Sequence, residues 1–239
     1  INFKSLQRNF RYVGSQKHVG EIVMSSENGA DGFSNDYWDE NYREMNMMDG
    51  IANAKQHARY IKSMMSLETI DVSSVIDFGF GLGYMLKEVL NIFKPYRAMG
   101  LEPSLYAFNK VKETKLTTVE SINLKLKNID LATWAIELSP KQNKFDLGLC
   151  TSVFQYLTDQ ELELVIPAMA RSVSYLYLSV PTDLELKRQR NDLDFHDRFA
   201  FPRTKGQYRK LIKDHFTIVS SRLLESRYFV EEDDSPFSD

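Results

Sequence analysis

Val75-Ile76-Asp77-Phe78-Gly79-Phe80-Gly81-Leu82-Gly83 decides how the rest of the chain is read. Two apolar β-formers run into an acid, three glycines follow at alternate positions, and Tyr84-Met85-Leu86-Lys87-Glu88-Val89-Leu90 then carries apolar residues at helical spacing. The order is strand, tight turn, helix. Glycine has no Cβ to hold a ligand off and accepts positive φ, so bare backbone comes close to whatever binds. The N–H groups of the new helix face the same space and favour an anionic group. A nucleotide-like cofactor is the natural occupant. A dinucleotide fingerprint needs its third glycine three positions after the second, and Tyr84 stands there instead.

Downstream, strand and helix signals alternate. Residues 97–102 read as a short buried strand closing in Glu102, with a helix from Leu105. An acid at the end of the second strand, about 20 residues beyond the glycines, is placed to accept hydrogen bonds from both ribose hydroxyls. The rival is an ordinary strand-end glutamate. A third strand lies somewhere in residues 118–127, ending in Asn128-Ile129-Asp130-Leu131 before a helical turn with Trp134. Phe145-Asp146-Leu147-Gly148-Leu149-Cys150-Thr151-Ser152-Val153-Phe154-Gln155-Tyr156-Leu157 is the fourth strand and its turn. Thr158-Asp159-Gln160-Glu161 is a capping box for a helix that Pro167 should kink or restart, and residues 173–180 make a fifth strand.

Five such alternations imply a parallel sheet with helices on both faces, with ligands bound beyond the carboxyl ends of the strands. Asp77, Glu102, Asp130 and Cys150 all sit at predicted strand ends. Residues 204–213 read as a helix, and residues 216–221 with 227–230 as a closing antiparallel pair. Upstream, residues 1–33 are polar with one short strand near 19–24. Residues 34–48 form a helix bearing Tyr37, Trp38 and Tyr42, and a further helix over 50–65 gathers Ile51, Ala54, Ala58, Ile61 and Met65 on one face with His57 beside it.

The pattern Asp-x-Gly-x-Gly-x-Gly at residues 77–83 resembles motif I of the class I methyltransferases that use S-adenosylmethionine, and residues 145–157 resemble that family's fourth-strand motif. The likeness covers residues 71 to 230, and within the family it looks most like the ubiquinone-methylase-like small-molecule branch. It implies an α/β fold: a Rossmann-like, mostly parallel seven-stranded sheet with helices on both faces and a terminal antiparallel hairpin whose last strand inserts beside the fifth. It also implies a domain layout. Residues 1–66 would be an extension with cofactor-covering helices, residues 67–230 the methyltransferase domain with a lid insertion at 182–202, and residues 231–239 an acidic tail.

The resemblance implies S-adenosyl-L-methionine as cofactor and transfer of its methyl group to a small-molecule acceptor by in-line displacement, with S-adenosylhomocysteine (SAH) leaving. Asp77, Gly79, Phe80, Gly81 and Gly83 would form the turn around it, Glu102 and Pro103 the ribose site, Asp130 and Leu131 the adenine site, and Cys150 and Thr151 the wall at the fourth strand. Asp130 has a second reading as a helix cap, compatible with the first. Tyr37 and Tyr42 are candidate contacts from the covering helix. Family members often carry histidine about where Gln155 stands, so the base is expected elsewhere: His196 beside Asp197. Between residues 187 and 213, nine Lys/Arg against three Asp, interleaved with aromatics, make a candidate acceptor lid for an anionic or aromatic substrate.

Composition sets the bounds. A chain of 239 residues with 43% hydrophobic content holds one decorated α/β domain, and 30 Lys+Arg against 33 Asp+Glu gives −3, which argues against nucleic acid as partner. One cysteine, Cys150, excludes an intrachain disulfide and a cysteine-clustered metal site, and no metal is expected. No apolar run approaches the ~18 residues of a membrane span, and a cytoplasmic location is the expectation. Two other readings stay open: a nicotinamide-dependent oxidoreductase of Rossmann type, and a catalytically silent S-adenosylmethionine-binding protein. Oligomeric state is not legible.

Overall fold

The computed structural model describes residues 51–117, 119–140, 143–193, 197 and 199–229. The expectations for Tyr37, Tyr42, His196 and the strand near residues 19–24 lie outside them.

Helix α1 (Ile51–Leu67) precedes β1 (Ser74–Phe78), α2 (Tyr84–Phe93), β2 (Arg97–Leu101), α3 (Leu105–Glu113), β3 (Asn123–Lys127), α4 (Leu131–Glu137) and β4 (Phe145–Thr151). A 3₁₀ turn at Phe154–Tyr156 leads to α5 (Asp159–Ala170), β5 (Val173–Ser179), α6 (Asp183–Leu193), α7 (Lys205–Ile212) and the hairpin β6 (Phe216–Ile218) and β7 (Leu223–Ser226). The seven strands lie in the order β3-β2-β1-β4-β5-β7-β6. β1 to β5 are parallel; β7 runs antiparallel to both β5 and β6. The expected terminal hairpin is present, with its last strand inserted beside the fifth.

The central strands β1, β4 and β5 are buried on two faces because helices cover both, whereas the edge strand β3 is largely exposed. On one side Ala58, Ile61 and Met65 of α1 and Leu86, Val89 and Leu90 of α2 pack with Val75, Leu147, Leu149 and Tyr177. On the other, Trp134 of α4, Leu162, Val165, Ile166 and Met169 of α5, and Tyr208 and Ile212 of α7 pack with Ile76, Phe78, Leu176 and Leu178. Ile76 and Phe78 therefore face opposite to Val75, as the two-residue period of a strand requires. The Trp134 indole meets Phe78 at 5.1 Å between centroids in a near-perpendicular pair.

Local chemistry sets the boundaries. Thr158 and Thr204 each open a helix with a complete capping box, and Ser104 caps α3. Helix α2 ends at Phe93 with Lys94 in the left-handed conformation ahead of Pro95. Helix α5 runs continuously through Pro167 to Ala170, so the proline does not divide it. The hairpin's second strand is Leu223–Ser226 where the alternation pointed to residues 227–230. As an interior strand it is buried on both faces at Leu223 and Leu224, and a consecutive apolar pair carries no two-residue period.

Candidate functional site

The sheet's carboxyl edge begins with the glycine turn. Gly79, Gly81 and Gly83 take φ of 127°, 51° and 77°. Two are also sterically confined: a Cβ on Gly79 would lie 2.6 Å from Val153 Cγ2, and one on Gly83 2.8 Å from Leu116 Cδ2. The turn is fastened to β2. The Phe80 N–H donates to the Leu101 carbonyl at 3.2 Å, and the Gly81 N–H donates to Glu102 Oε2 at 2.8 Å. The other carboxylate oxygen, Oε1, accepts from the Ser104 N–H at 2.9 Å.

Glu102 is thus no solvated strand end; it is 4% exposed and joins the turn to the start of α3. A carboxylate offers about four acceptor positions, so two remain. Burial pushes its pKa up to about 7, with the Ser104 and Gly81 N–H groups pulling the other way.

Asp77 lies deeper, 1% exposed, and among the described residues its Oδ1 has no hydrogen-bond partner. Burial first, then the Glu102 charge, drives its pKa well above the usual carboxylate range. An orphaned carboxylate oxygen at this depth is costly without a cation or donor to meet it.

The β3 end is tied to the β2 end. Ile129 N–H and Asn128 Nδ2 both donate to the Glu102 carbonyl, at 3.2 and 2.8 Å. Asp130 is therefore held beside Glu102. It caps α4, taking the Thr133 N–H on Oδ1 at 2.8 Å and the Thr133 hydroxyl on Oδ2 at 2.6 Å. Asp77 pairs in register with Gly100 of β2 and Leu149 of β4, so the turn, Glu102, Pro103, Asp130 and Thr151 share one edge. Three expected contact residues turn their side chains into the core. Phe80 lies against Gly100, Leu131 sits in the cluster of Phe78 and Trp134, and Cys150 is fully buried. Any contact they make with a ligand comes from their backbone. Burial, and then the charge of Asp77, pushes the Cys150 thiol well up, leaving no thiolate for a nucleophile.

Past β4 the character changes. Ser152 takes a positive φ of 56° while its N–H donates to the Ser179 carbonyl at 2.8 Å. Next to it opens a cleft of about 910 Å³ whose walls include Ser152, Gln155, Ser179, Thr182, Asp197 and Tyr208. The glycines, Glu102 and Asp130 lie outside this lining; Val153, packed on Gly79, links the two regions.

A strap at residues 199–203 borders the cleft. Arg203, 4% exposed, donates through Nε to Asp159 Oδ1 at 2.8 Å and through its two terminal nitrogens to the carbonyls of Phe154 at 3.0 Å and Leu157 at 2.6 Å. The Phe201 N–H donates to the Gln155 carbonyl at 2.7 Å, and the Asp183 N–H to the Arg203 carbonyl at 2.8 Å. Asp197 accepts from the Tyr156 hydroxyl at 2.7 Å, so it stands at the cleft and away from the glycine turn. Also lining the cleft, His57 of α1 is hydrogen-bonded through Nδ1 to the Tyr177 hydroxyl. Burial raises that phenol to about 12.

Sequence reasoning did not single out Asn128, Arg203 or the His57–Tyr177 pair as parts of this edge. Nothing local marks the last two, whose partners lie 44 or more positions away. Among the described residues no group of three or more His, Cys, Asp or Glu is placed to hold a metal. No described helix is long and apolar enough to cross a membrane.

The strand order, the antiparallel insertion of β7 and the glycine turn at the end of β1 define the Rossmann-like fold of the class I methyltransferases. Solved structures agree. The chain is similar to the plantazolicin methyltransferase BpumL in complex with a monoazolic desmethylPZN analogue and SAH, with 14% identity over 75% of this chain and 69% of that one and a TM-score of 0.58. It is similar to magnesium protoporphyrin IX methyltransferase (ChlM) from Synechocystis PCC 6803 with bound SAH, with 18% identity over 86% of this chain and 97% of that one and a TM-score of 0.54. A third likeness is to an S-adenosylmethionine-dependent methyltransferase from Clostridium acetobutylicum ATCC 824, with 13% identity over 79% of this chain and 96% of that one and a TM-score of 0.59. No family model matches the sequence, and no curated protein matches it. At these identities the likeness is one of fold.

Proposed function

We propose that the protein is an S-adenosylmethionine-dependent methyltransferase acting on a small-molecule acceptor, of the ubiquinone-methylase-like branch. The observation that carries this reading is the glycine turn whose Gly81 N–H is held by the buried Glu102 carboxylate. The residues fit the cofactor on two counts: the turn leaves open backbone where a Cβ would stand, and the orphaned Asp77 Oδ1 matches a cationic donor such as the ammonium of an amino-acid moiety. In this reading Glu102 uses its two remaining acceptor positions for ribose hydroxyls, and Asp130 supplies the adenine end while capping α4. The bound cofactor supplies an activated methyl group, so this chain's task is alignment, which accounts for ~7–11 kcal/mol of a barrier.

The antiparallel hairpin and Tyr84 weigh against a nicotinamide oxidoreductase, whose sheet runs 3-2-1-4-5-6. We read residues 1–66 as covering the cofactor, residues 182–202 as the lid and the acceptor as lying in the cleft beyond β4 and β5. His196 beside Asp197 is our candidate base, and with a single buried cysteine the cytoplasm our candidate compartment. Calorimetry decides the class: SAH should bind and raise the melting temperature, and nicotinamide dinucleotides should do neither. Tight dinucleotide binding without SAH binding would overturn the reading. Methyl transfer from tritiated S-adenosylmethionine to a low-molecular-mass acceptor separates an enzyme from a silent binder.

A further inference from the structure

Two buried side chains on the cleft wall carry polar atoms that nothing in the described protein satisfies. Gln155 is 2% exposed, and its Oε1 has no hydrogen-bond partner among the described residues. Tyr208 is 5% exposed, and its hydroxyl likewise has none. Native interiors leave very few such atoms, and each costs about 1–3 kcal/mol. Both residues line the same cleft although 53 positions separate them (208 − 155).

Neighbouring polar groups are already committed. Arg203 directs three of its five N–H donors to Asp159, Phe154 and Leu157, and its guanidinium carbon stands 6.0 Å from the Tyr208 ring centroid, over the ring. The Gln155 main-chain carbonyl is taken by Phe201. The two orphans are chemically complementary. A carboxamide oxygen only accepts, whereas a phenol both donates and accepts. Burial pushes the Tyr208 pKa up, while the adjacent Arg203 guanidinium, first by close polar contact and then by its charge, pulls the other way, so the phenol keeps its proton. The last torsion of a glutamine side chain is broad, so turning the buried Oε1 toward the cleft requires no change of rotamer well.

We propose that Gln155 and Tyr208 form a neutral recognition subsite for a group that presents an N–H donor beside a carbonyl acceptor, as a primary carboxamide or lactam does. The N–H donates to Gln155 Oε1, and the carbonyl accepts from the Tyr208 hydroxyl. Arg203, over the Tyr208 ring, is already paired with Asp159; Arg188, Lys205, Arg209 and Arg222 also line the cleft, so a carboxylate can be held there without using Gln155. Placing it in an acceptor cleft rests on the methyltransferase reading; the subsite itself does not require the cofactor.

The test is a ligand-observed NMR titration with three probes, benzamide, N,N-dimethylbenzamide and benzoate, each with and without SAH. Benzamide should bind more tightly than dimethylbenzamide, Gln155→Met and Tyr208→Phe should each weaken it about threefold to tenfold, the loss of one hydrogen bond, and Gln155→Met should not weaken benzoate. Dimethylbenzamide should be indifferent to Gln155→Met. Because each variant removes an orphaned buried polar atom, both should keep or raise the melting temperature. Dimethylbenzamide binding as well as benzamide overturns the subsite, as does a benzamide affinity unchanged in both variants or a benzoate affinity that falls alongside benzamide's in Gln155→Met. A fall in melting temperature in both also overturns it, since it would show the two groups to be structurally satisfied. If SAH fails to bind while benzamide discrimination persists, the methyltransferase reading falls and the subsite stands.

Discussion

The two halves of the carboxyl edge differ in how their polar groups are employed. At the β1–β2 side, Glu102 is clasped by two backbone N–H groups, its carbonyl by Ile129 and Asn128, and Asp130 by Thr133. At the β4–β5 side, side chains brought from distant positions surround a cleft, and Gln155 Oε1 and the Tyr208 hydroxyl are left unsatisfied. The first half is built like a fixture, with Asp77 Oδ1 and two acceptor positions of Glu102 held in reserve. The second keeps its hydrogen-bonding capacity for whatever enters. A shared cofactor and a variable acceptor would call for that division.

The contrast is most directly broken at Glu102. Glu102→Ala removes two charge-assisted acceptor sites, and SAH affinity by calorimetry should fall about 100-fold. An unchanged dissociation constant would dissolve the ribose assignment. The same residue sets a pH dependence. Its carboxyl sits near 7 when folded against an ordinary value of 4.5, so the native state binds the extra proton between those values. Stability contributed by the protonated form is fully present below about 4.5 and is lost as pH rises through about 7, on the order of 3 kcal/mol. Urea midpoints across that window should decline in the native protein and decline less steeply in Glu102→Gln, where the buried Asp77 carboxyl, also raised, still titrates. Hydroxyl donors favour the ionised form, so SAH should bind more tightly as pH rises toward 7 and level off above it.

At the cleft side, Arg203→Met orphans the carbonyls of Phe154 and Leu157 and should cost about 2–3 kcal/mol in denaturant titrations, leaving SAH affinity within about twofold. Equal damage to cofactor binding would show the halves to be coupled. Gly83→Ala forces positive φ on alanine and a 2.8 Å approach to Leu116 Cδ2, and should cost about 1–3 kcal/mol. The smallest effect is Thr158→Ala, about 1 kcal/mol for the lost cap of α5.

The same division explains what the sequence revealed. Glu102 and Asp130 could be placed because each lies at a fixed distance from an element boundary. The glycines at 79, 81 and 83, clustered between a strand and a helix, point to a turn with positive φ, unlike Gly100 and Gly148 inside strands. The hairpin was legible as a pair but misplaced by a few residues, since Leu223 and Leu224 sit in an interior strand that has no polar face. Arg203 read as one more basic residue in a charged stretch. Its burial depends on Asp159 and two carbonyls before α5, contacts that no local pattern encodes. Tyr208 read as an aromatic of the lid and turned out to be core on one side and cleft wall on the other.

The Asp183 N–H bonded to the Arg203 carbonyl brings the two ends of the 183–203 segment together. Chain that leaves and re-enters at one point behaves as a cassette: it can be lengthened, shortened or exchanged while its anchors stay in place and the sheet beneath keeps its register. A new acceptor range would then be reached by grafting another segment between Thr182 and Thr204 that preserves the arginine at its return, leaving the machinery around Gly79 untouched.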